Sequence, residues 1–358
     1  MPDPSQPAHI AADSTRYRVA HLREQWYVAC RSKDLGKKPL GLTIYDTPIV
    51  VFRGTDGRAA ALLDRCAHRN IPLSLGRIEN QRLTCRYHGW AYDNDGTCVG
   101  VPALCESGGG ETRRVPAFAT IESQGFVWVF ASPDVEPTSE PFTFPHLDDD
   151  SFGKFTLDYE VEASLHATLE NMLDVPHTAF LHRGLFRGGT PNEITAVIRR
   201  DADRIEAQYV GEPLPSGLAA RILGIGDSGG EAIEHYDRFI MPSISQVEYQ
   251  LGNSHLLATS VLTPLSDFAT RFSTVITYRL PIPHLLLRAV FEPVARRILN
   301  QDAWILGRQT QAVRRFEREE YVSTKVDILG PEIWRMLEAA HRGDSAPGPL
   351  ERSIQLLV

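Results

Sequence analysis

Four residues in two short segments have the types that hold soft metals: Cys66 and His68 in DRCAHRN, and Cys85 and His88 in TCRYHGW. Each segment supplies one thiolate and one imidazole, and sixteen residues separate His68 from Cys85. Two thiolates and two neutral ring nitrogens can bind one zinc tetrahedrally, or divide as pairs between the two irons of a [2Fe–2S] centre. Spacing alone permits both, although Cys-x-His is an unusual half-site for a zinc finger. Imidazole ligands raise a cluster's potential, so the iron reading makes this site an electron relay that needs a second centre. One is available in LENMLDVPHTAFLHRGLF, which carries Asn171, Asp174, His177 and His182. On a helix Asn171 and Asp174 lie one turn apart on one face. Two histidines five apart do not share a face. If both bind one metal the helix must end or kink between them, and Pro176 favours that. Taken alone, the pair also reads as ordinary polar residues near a helix end. A third ligand is sought in RRILNQDAWILGRQTQAV, where Ile298, Asp302, Ile305 and Gln309 fall on one helical face and a carboxylate would be costly to bury unpaired. Asp237 and Asp267 are weaker choices, placed in or near strand-like runs.

With Gly89 and Trp90 following the second pair, the first motif resembles that of the Rieske family. Ile71 and Tyr87 stand where respiratory-chain Rieske proteins carry two further cysteines, so the resemblance is to the oxygenase branch. The segment 171–182 likewise resembles the Rieske non-haem iron oxygenases, and the likeness runs from about residue 24 to about residue 320. The resemblance implies that Cys66, His68, Cys85 and His88 hold [2Fe–2S]. It implies that His177, His182 and Asp302 form a facial triad on Fe(II) with positions open for O2 and substrate. It gives Asp174 the role of a bridge carrying electrons from a neighbouring subunit's cluster to His177, within a head-to-tail ring that is most often a trimer. Asn171 would sit near the iron without being a main ligand, and Glu170 and His166 would be supporting residues. The α-only monooxygenases, the vanillate demethylase-like and pheophorbide oxygenase-like groups, match better than the larger ring-dihydroxylating enzymes. The activity implied is oxidation of a small organic substrate by hydroxylation, dealkylation, desaturation or cyclisation. The alternative is a Rieske electron carrier without oxygenase activity.

These residues need two kinds of scaffold. From residue 26 to 130 short β-prone runs (LTIY, PIVVFR, AAALL, GFVWVF) alternate with turn chemistry at Thr55-Asp56-Gly57 and Asn94-Asp95-Gly96, which predicts a small antiparallel β domain. Four prolines and several acids then mark a linker. The domain expectation is a loose tail over 1–23, a Rieske domain over 24–131, a linker over 132–150 and a catalytic domain over 151–358. In the last, Phe155, Leu157, Tyr159 and Val161 alternate as a strand, and Ser164 caps a helix that ends at Pro176. Strand-like runs around 192–210, 234–250, 255–263 and 271–279 read as a meander, followed by helices over 289–320 and 331–341. The expected fold is α+β: an N-terminal antiparallel β Rieske domain, then a helix-grip-like catalytic domain with a curved antiparallel sheet and helices. The glycine-rich connection 211–231 reads as an entrance or lid.

Composition sets the limits. The 358 residues, 42% apolar and 23% charged, exceed the roughly 250–300 at which single cores stop growing. A formal charge of −8, from 37 basic against 45 acidic residues, argues against nucleic-acid or anionic-membrane partners. The polar start lacks a secretory signal, and the greasiest stretch, 280–299, is broken by prolines and charges, so a cytoplasmic protein is expected. Cys30, Cys98 and Cys105 have no partner spacing. Gly224, Gly226 and Gly229 match a dinucleotide fingerprint without its βαβ context. With no nicotinamide or flavin site encoded, electrons are expected from a separate NAD(P)H-dependent reductase, directly or through a ferredoxin. Phe180, Phe186, Phe239, Tyr249, Phe272 and Trp304 could line a pocket, though such aromatics more often fill cores.

Overall fold

The run PIVVFR is apolar on both faces, as a strand packed on both sides must be. In the computed structural model, which describes residues 16–54, 56–102, 104, 111–182, 193–212, 233–281 and 284–357, it is the third strand of the chain. The chain divides into two units. One covers Arg23–Thr143; the other covers Phe144–Val358 and takes in the segment ending at Leu22.

The first unit holds three small antiparallel sheets. In one, β11 (Phe126–Phe130) lies between β1 (Trp26–Arg31) and β10 (Thr120–Ser123). The second runs β2 (Leu40–Ile44), β3 (Thr47–Arg53), β4 (Ala59–Leu63) and β9 (Ala117–Phe118). The third runs β5 (Arg77–Glu79), β6 (Arg82–Thr84), β7 (Ala91–Tyr92) and β8 (Cys98–Gly100). Strand β3 explains its composition: Ile49 and Val51 pack with Tyr27, Val127 and Val129, while Val50 and Phe52 pack on the other side with Leu62, Leu73, Leu83 and Tyr92. The second cluster also contains Cys66 and Cys85, so it is the floor under the two metal-type loops. Truncating Phe52 to Ala would cost about 3–5 kcal/mol and open that floor.

In the second unit eight antiparallel strands follow the order β12 (Gly153–Val161), β18 (Ala269–Arg279), β17 (Ser254–Ser266), β16 (Ile244–Leu251), β15 (Glu234–Ile240), β14 (Arg204–Val210), β13 (Glu193–Arg200) and β19 (Leu350–Leu357). The expectation of a curved, helix-grip-like sheet is corrected here. The sheet is open and neither curled nor closed, with β12 and β19 as two separate edges. The physical reason is that helices bury one face. Helices α1 (Leu165–Met172), α2 (Thr178–Leu181), α3 (His284–Phe316) and α4 (Gly330–Arg342) accompany it. Ile194, Ala196, Ile198, Ile205 and Ala207 of β13 and β14 share a core with Leu165, Leu169, Leu306, Ile333 and Leu337 of α1, α3 and α4. A sheet covered in this way has no need to close on itself.

Several local expectations shift. The run 192–210 is a hairpin, not one strand, because 201–203 make its turn. Strand β19, which no pattern singled out, pairs along the whole of β13 and covers an edge that would otherwise be exposed. Helix α3 begins and ends a turn earlier than the pattern suggested. Ser164 does cap α1, its hydroxyl accepting from the Ala167 N–H at 3.2 Å. Thr55, Cys105, Phe186, Gly224, Gly226, Gly229 and nearly all of the 211–231 connection lie outside the described residues. Among the described residues no helix is long and apolar enough to cross a membrane.

Candidate active site

The two Cys/His loops share one backbone design. In each, the Cys N–H donates to the carbonyl five residues on (Ile71, 2.9 Å; Trp90, 2.8 Å), and its carbonyl accepts from the N–H four residues on (Asn70, 2.9 Å; Gly89, 3.1 Å). Both closing residues have positive φ, 59° at Asn70 and 71° at Gly89, a conformation open to Asn and Gly. The loops therefore seat Cys66 and Cys85 inward, both buried, with the imidazoles toward the surface. The His68 and His88 rings are 4.6 Å apart, and Trp90 stacks on His68 at 4.7 Å. The Tyr92 hydroxyl lies 3.3 Å from Cys66 Sγ and accepts from the Ala67 N–H at 3.2 Å. Burial pushes the Cys85 thiol up, so a thiolate there calls for a cation. His68 Nδ1 is buried without a hydrogen-bond partner. Two inward sulfurs, two adjacent rings and an orphaned ring nitrogen fit a [2Fe–2S] centre.

The second constellation assembles where α1 stops. After Met172 the chain leaves the helix, passes Pro176 and makes the single turn α2, which His177 and His182 bracket at its two ends. The five-residue spacing is thus resolved by a break, as Pro176 suggested. Asp302, from the middle of α3, completes the group. His182 Nε2 lies 3.0 Å from Asp302 Oδ1, His177 Nε2 lies 3.6 Å from the same oxygen, and the two Nε2 atoms are 3.2 Å apart. Ligands about 2.1 Å from a metal and at right angles are about 3.0 Å apart, whereas opposed ligands are about 4.2 Å apart. Separations of 3.0 and 3.2 Å match neighbouring positions and 3.6 Å falls short of opposition, so no two of the three atoms are opposed, as a facial set requires.

The far nitrogens explain why the near ones converge. His182 Nδ1 donates to Gln301 Oε1 at 2.9 Å, and His177 Nδ1 faces Asp174 Oδ2 at 3.2 Å. With a proton held on its Nδ1, His182 points its Nε2 lone pair into the site, and the carboxylate beside His177 Nδ1 favours the same tautomer there. Asp174 Oδ2 also accepts the His177 backbone N–H at 3.1 Å, fixing the turn. Burial disfavours a charge on His177, but Asp174 and Asp302 outweigh it and lift its pKa to about 9, so metal and proton compete for this ring. The donor set, with Asp302 Oδ1 buried and lacking a hydrogen-bond partner, fits a mononuclear divalent iron.

A cavity of about 960 Å³ is lined by Asn171, Asp174, His177, Phe180, Tyr209 and Tyr321, among others. Asn171 stands on its wall, and its carbonyl faces the Asp174 N–H at 3.5 Å. Glu170 lines the same space, its pKa raised to about 7 by burial. His166 sits deeper, its Nε2 2.9 Å from the Gly330 carbonyl. Asp267 is taken by His21 Nε2 at 2.6 Å, and Asp237 lies beside His235, so neither joins the triad. Of the aromatics, Phe239 and Phe272 are core, while Phe180 is 85% exposed. Sequence reasoning missed Gln301, whose only signal is adjacency to Asp302, and Tyr92.

Fold and site together define a two-centre iron protein with an electron-relay unit and an open-faced iron unit. A Rieske [2Fe-2S] domain model matches residues 25–119, and the model of the vanillate O-demethylase oxygenase C-terminal domain matches residues 161–343, more than half the chain. The chain belongs to the Rieske oxygenases that carry this C-terminal domain, and its cofactors are a [2Fe–2S] cluster and a mononuclear iron. It is 32% identical over 306 residues to chlorophyllide a oxygenase of Oryza sativa subsp. japonica, covering 82% of this chain and 52% of that one. It is 34% identical over 171 residues to the oxygenase component of dicamba O-demethylase from Stenotrophomonas maltophilia, covering 46% of this chain and 49% of the relative. The chain thus spans about half the length of the curated relatives it matches. The crystal structure of dicamba monooxygenase bound to 3,6-dichlorosalicylic acid superposes with a TM-score of 0.78 at 24% identity, over 90% of this chain and 98% of that one, and shares the fold.

Proposed function

We propose that this chain is the oxygenase component of a Rieske monooxygenase acting on a small organic molecule. The observation that carries the reading is the convergence of His177 Nε2, His182 Nε2 and Asp302 Oδ1 within 4.8 Å, with Gln301 hydrogen-bonded behind His182 and Asp174 beside the far nitrogen of His177. These three residues hold the iron; Cys66, His68, Cys85 and His88 hold the cluster. Bound there, the two centres supply stepwise electrons and activation of O2 for attack on a C–H bond. The protein's own part is orientation. Asp174 and Gln301 orient the two ligand histidines. In this reading Asp174 also joins a neighbouring subunit's cluster histidine to His177, in a head-to-tail ring, a homotrimer, that brings one chain's relay to another's iron. The electrons come from a separate NAD(P)H-dependent reductase, with or without a ferredoxin. A pure electron carrier would have no use for the triad. Iron analysis separates the two: about three irons per chain for the oxygenase against two for the carrier. Asp302→Ala is expected to lose one iron per chain and keep the visible spectrum of the cluster; full activity in that variant would overturn the ligand assignment.

A further inference from the structure

An acid outside the iron triad opens on the cavity beside Asp174. Glu170 sits in the last turn of α1 and Asp174 four residues on, just past the helix end, and both line the cavity that His177 also lines. The start of α4 is shaped around this acid. At Gly330 a Cβ would lie 2.0 Å from Glu170 Oε1 and 2.7 Å from Glu170 Cγ, so the absence of a side chain there is what lets the carboxyl reach the wall. Among the described residues the carboxyl has neither a hydrogen-bond nor an ion-pair partner.

The charges around Glu170 decide its state. Asp174, Asp327 and Glu319 oppose a further negative charge, and Arg18, from the segment before β1, favours one. Arg18 does not pair with it: the guanidinium packs over the Tyr321 ring, 5.0 Å from its centroid, and Nη1 is buried without a hydrogen-bond partner. Arg308 of α3, Tyr209 of β14 and Tyr321 share the wall with His177, and α4 contributes Gly330. Burial is the largest influence, and with the neighbouring acids it raises the Glu170 pKa to about 7 against the pull of Arg18. A carboxyl taken from water without a partner costs stability, so its place at the wall calls for another account.

We propose that Glu170 is a positioning residue for electron delivery at Asp174: as a neutral acid it keeps the wall beside His177 from gaining a further negative charge, and delivery slows once it ionises. The proposal rests on the oxygenase reading, in which Asp174 is the bridge. The electron leaves the reduced cluster, which is oxidised, and enters the iron, which is reduced. That step adds negative charge beside Asp174, and a second carboxylate four residues away opposes it by Coulomb repulsion, which water screens poorly in a partly buried site. The proton stays on Glu170 throughout.

In the test, holoprotein reduced with dithionite is mixed with O2, and reoxidation of the cluster is followed by its visible absorbance at about pH 6 and about pH 8, less the rate in iron-free Asp302→Ala. The wild-type rate should fall about tenfold between them, as the protonated fraction of a group with a pKa of about 7 does. Glu170→Gln, which mimics the neutral acid, should keep the faster rate within about twofold at both pH values. Arg18→Gln removes the cation that favours ionisation and should move the midpoint up by about one pH unit. Across the same pH step the infrared difference spectrum of the wild type should show a protonated carboxylic acid being lost, and Glu170→Gln should lack that band. A pH dependence that persists in Glu170→Gln, a slow rate in that variant at both pH values, a midpoint that stays or falls in Arg18→Gln, or no infrared band overturns the proposal. If Glu170→Gln fails to fold, Arg18→Gln and the wild-type band decide. Absence of iron-dependent reoxidation at both pH values sinks the oxygenase reading, whereas a flat wild-type rate in protein that O2 does reoxidise sinks only the role of Glu170.

Discussion

Gln301 offers the sharpest test of how the iron ligands are aimed, because it sits beside the metal-type residues without being one. Its Oε1 is 2.9 Å from His182 Nδ1, and His182 is 2% exposed. Gln301→Ala takes that acceptor from a buried N–H, a change worth about 1–3 kcal/mol. If the loss falls wholly on the state in which Nε2 is presented to iron, affinity drops by about 5- to 150-fold, since about 1.4 kcal/mol is tenfold. Partners behind metal-bound histidines are typically worth 10- to 100-fold, so we expect a loss of roughly that size. Gln301→Glu keeps an acceptor at the same place and should bind iron within about threefold of wild type or more tightly. The assay is anaerobic Fe(II) loading against a competing chelator, with the cluster absorbance followed in the same cuvette. The reasoning fails if Gln301→Ala binds iron within about twofold of wild type. It fails equally if the alanine and glutamate variants lose affinity to the same extent, for then α3 packing and not the hydrogen bond is at stake.

Three further perturbations address other links. Asp174→Ala, assayed after reconstitution with saturating Fe(II), should retain the cluster while O2 uptake falls to background; coupled turnover at the wild-type rate would refute the bridge. Tyr92→Phe removes the hydroxyl 3.3 Å from Cys66 Sγ and should lower the cluster potential by on the order of 50 mV, since 59 mV is tenfold for one electron. A redox titration showing no shift, or an upward one, would count against that contact. His166 joins α1 to the start of α4 through the Gly330 carbonyl, and burial lowers its pKa to about 4. Below its ordinary value of about 6.5 the unfolded chain takes up a proton that the folded chain refuses, so stability is lost as pH falls from about 6.5 toward 4, by on the order of 3 kcal/mol. Urea unfolding across that range should show a shallower pH dependence in His166→Gln, and identical slopes would exclude the role.

The fold was legible where a local pattern answers to one cause. Strand β3 reads as buried because both its faces are apolar, and Ser164 reads as a cap because a hydroxyl there has a free N–H to meet. The sheet's shape was not legible in this way. Alternation on β13 to β15 says that one face is buried but not what covers it, and a sheet packed under helices gives the same pattern whether it curls or stays open. Strand β19 was missed for a related reason. Its sequence, LERSIQLL, alternates weakly, and it is a strand because β13 offers an unpaired edge 150 residues earlier in the chain.

The same distinction separates the metal ligands from the groups that aim them. A ligand to iron must come from a short list of residue types, so Cys66, His68, Cys85 and His88 stand out by type and spacing, whereas His177, His182 and Asp302 stand out only once the family resemblance is added to their types. An aiming group needs only an acceptor at the right place, and any amide, carboxylate or main-chain carbonyl will do. Asp174 was visible because it shares a motif with His177; Gln301, which does for His182 what Asp174 does for His177, was hidden because its histidine lies on another element. The buried His235 follows the same logic at longer range. His235 has no spacing that marks it, and it becomes chemically distinctive only when Tyr209, Glu212 and Tyr249 are brought around it by strands β14 to β16. What the sequence specifies for such groups is strand register: moving β15 by one residue against its neighbours would turn His235 and Asp237 to the opposite face and leave the triad untouched. Metal-ligand types and the surroundings of buried side chains are thereby written in different places, the first along the chain and the second in the pairing of the sheet.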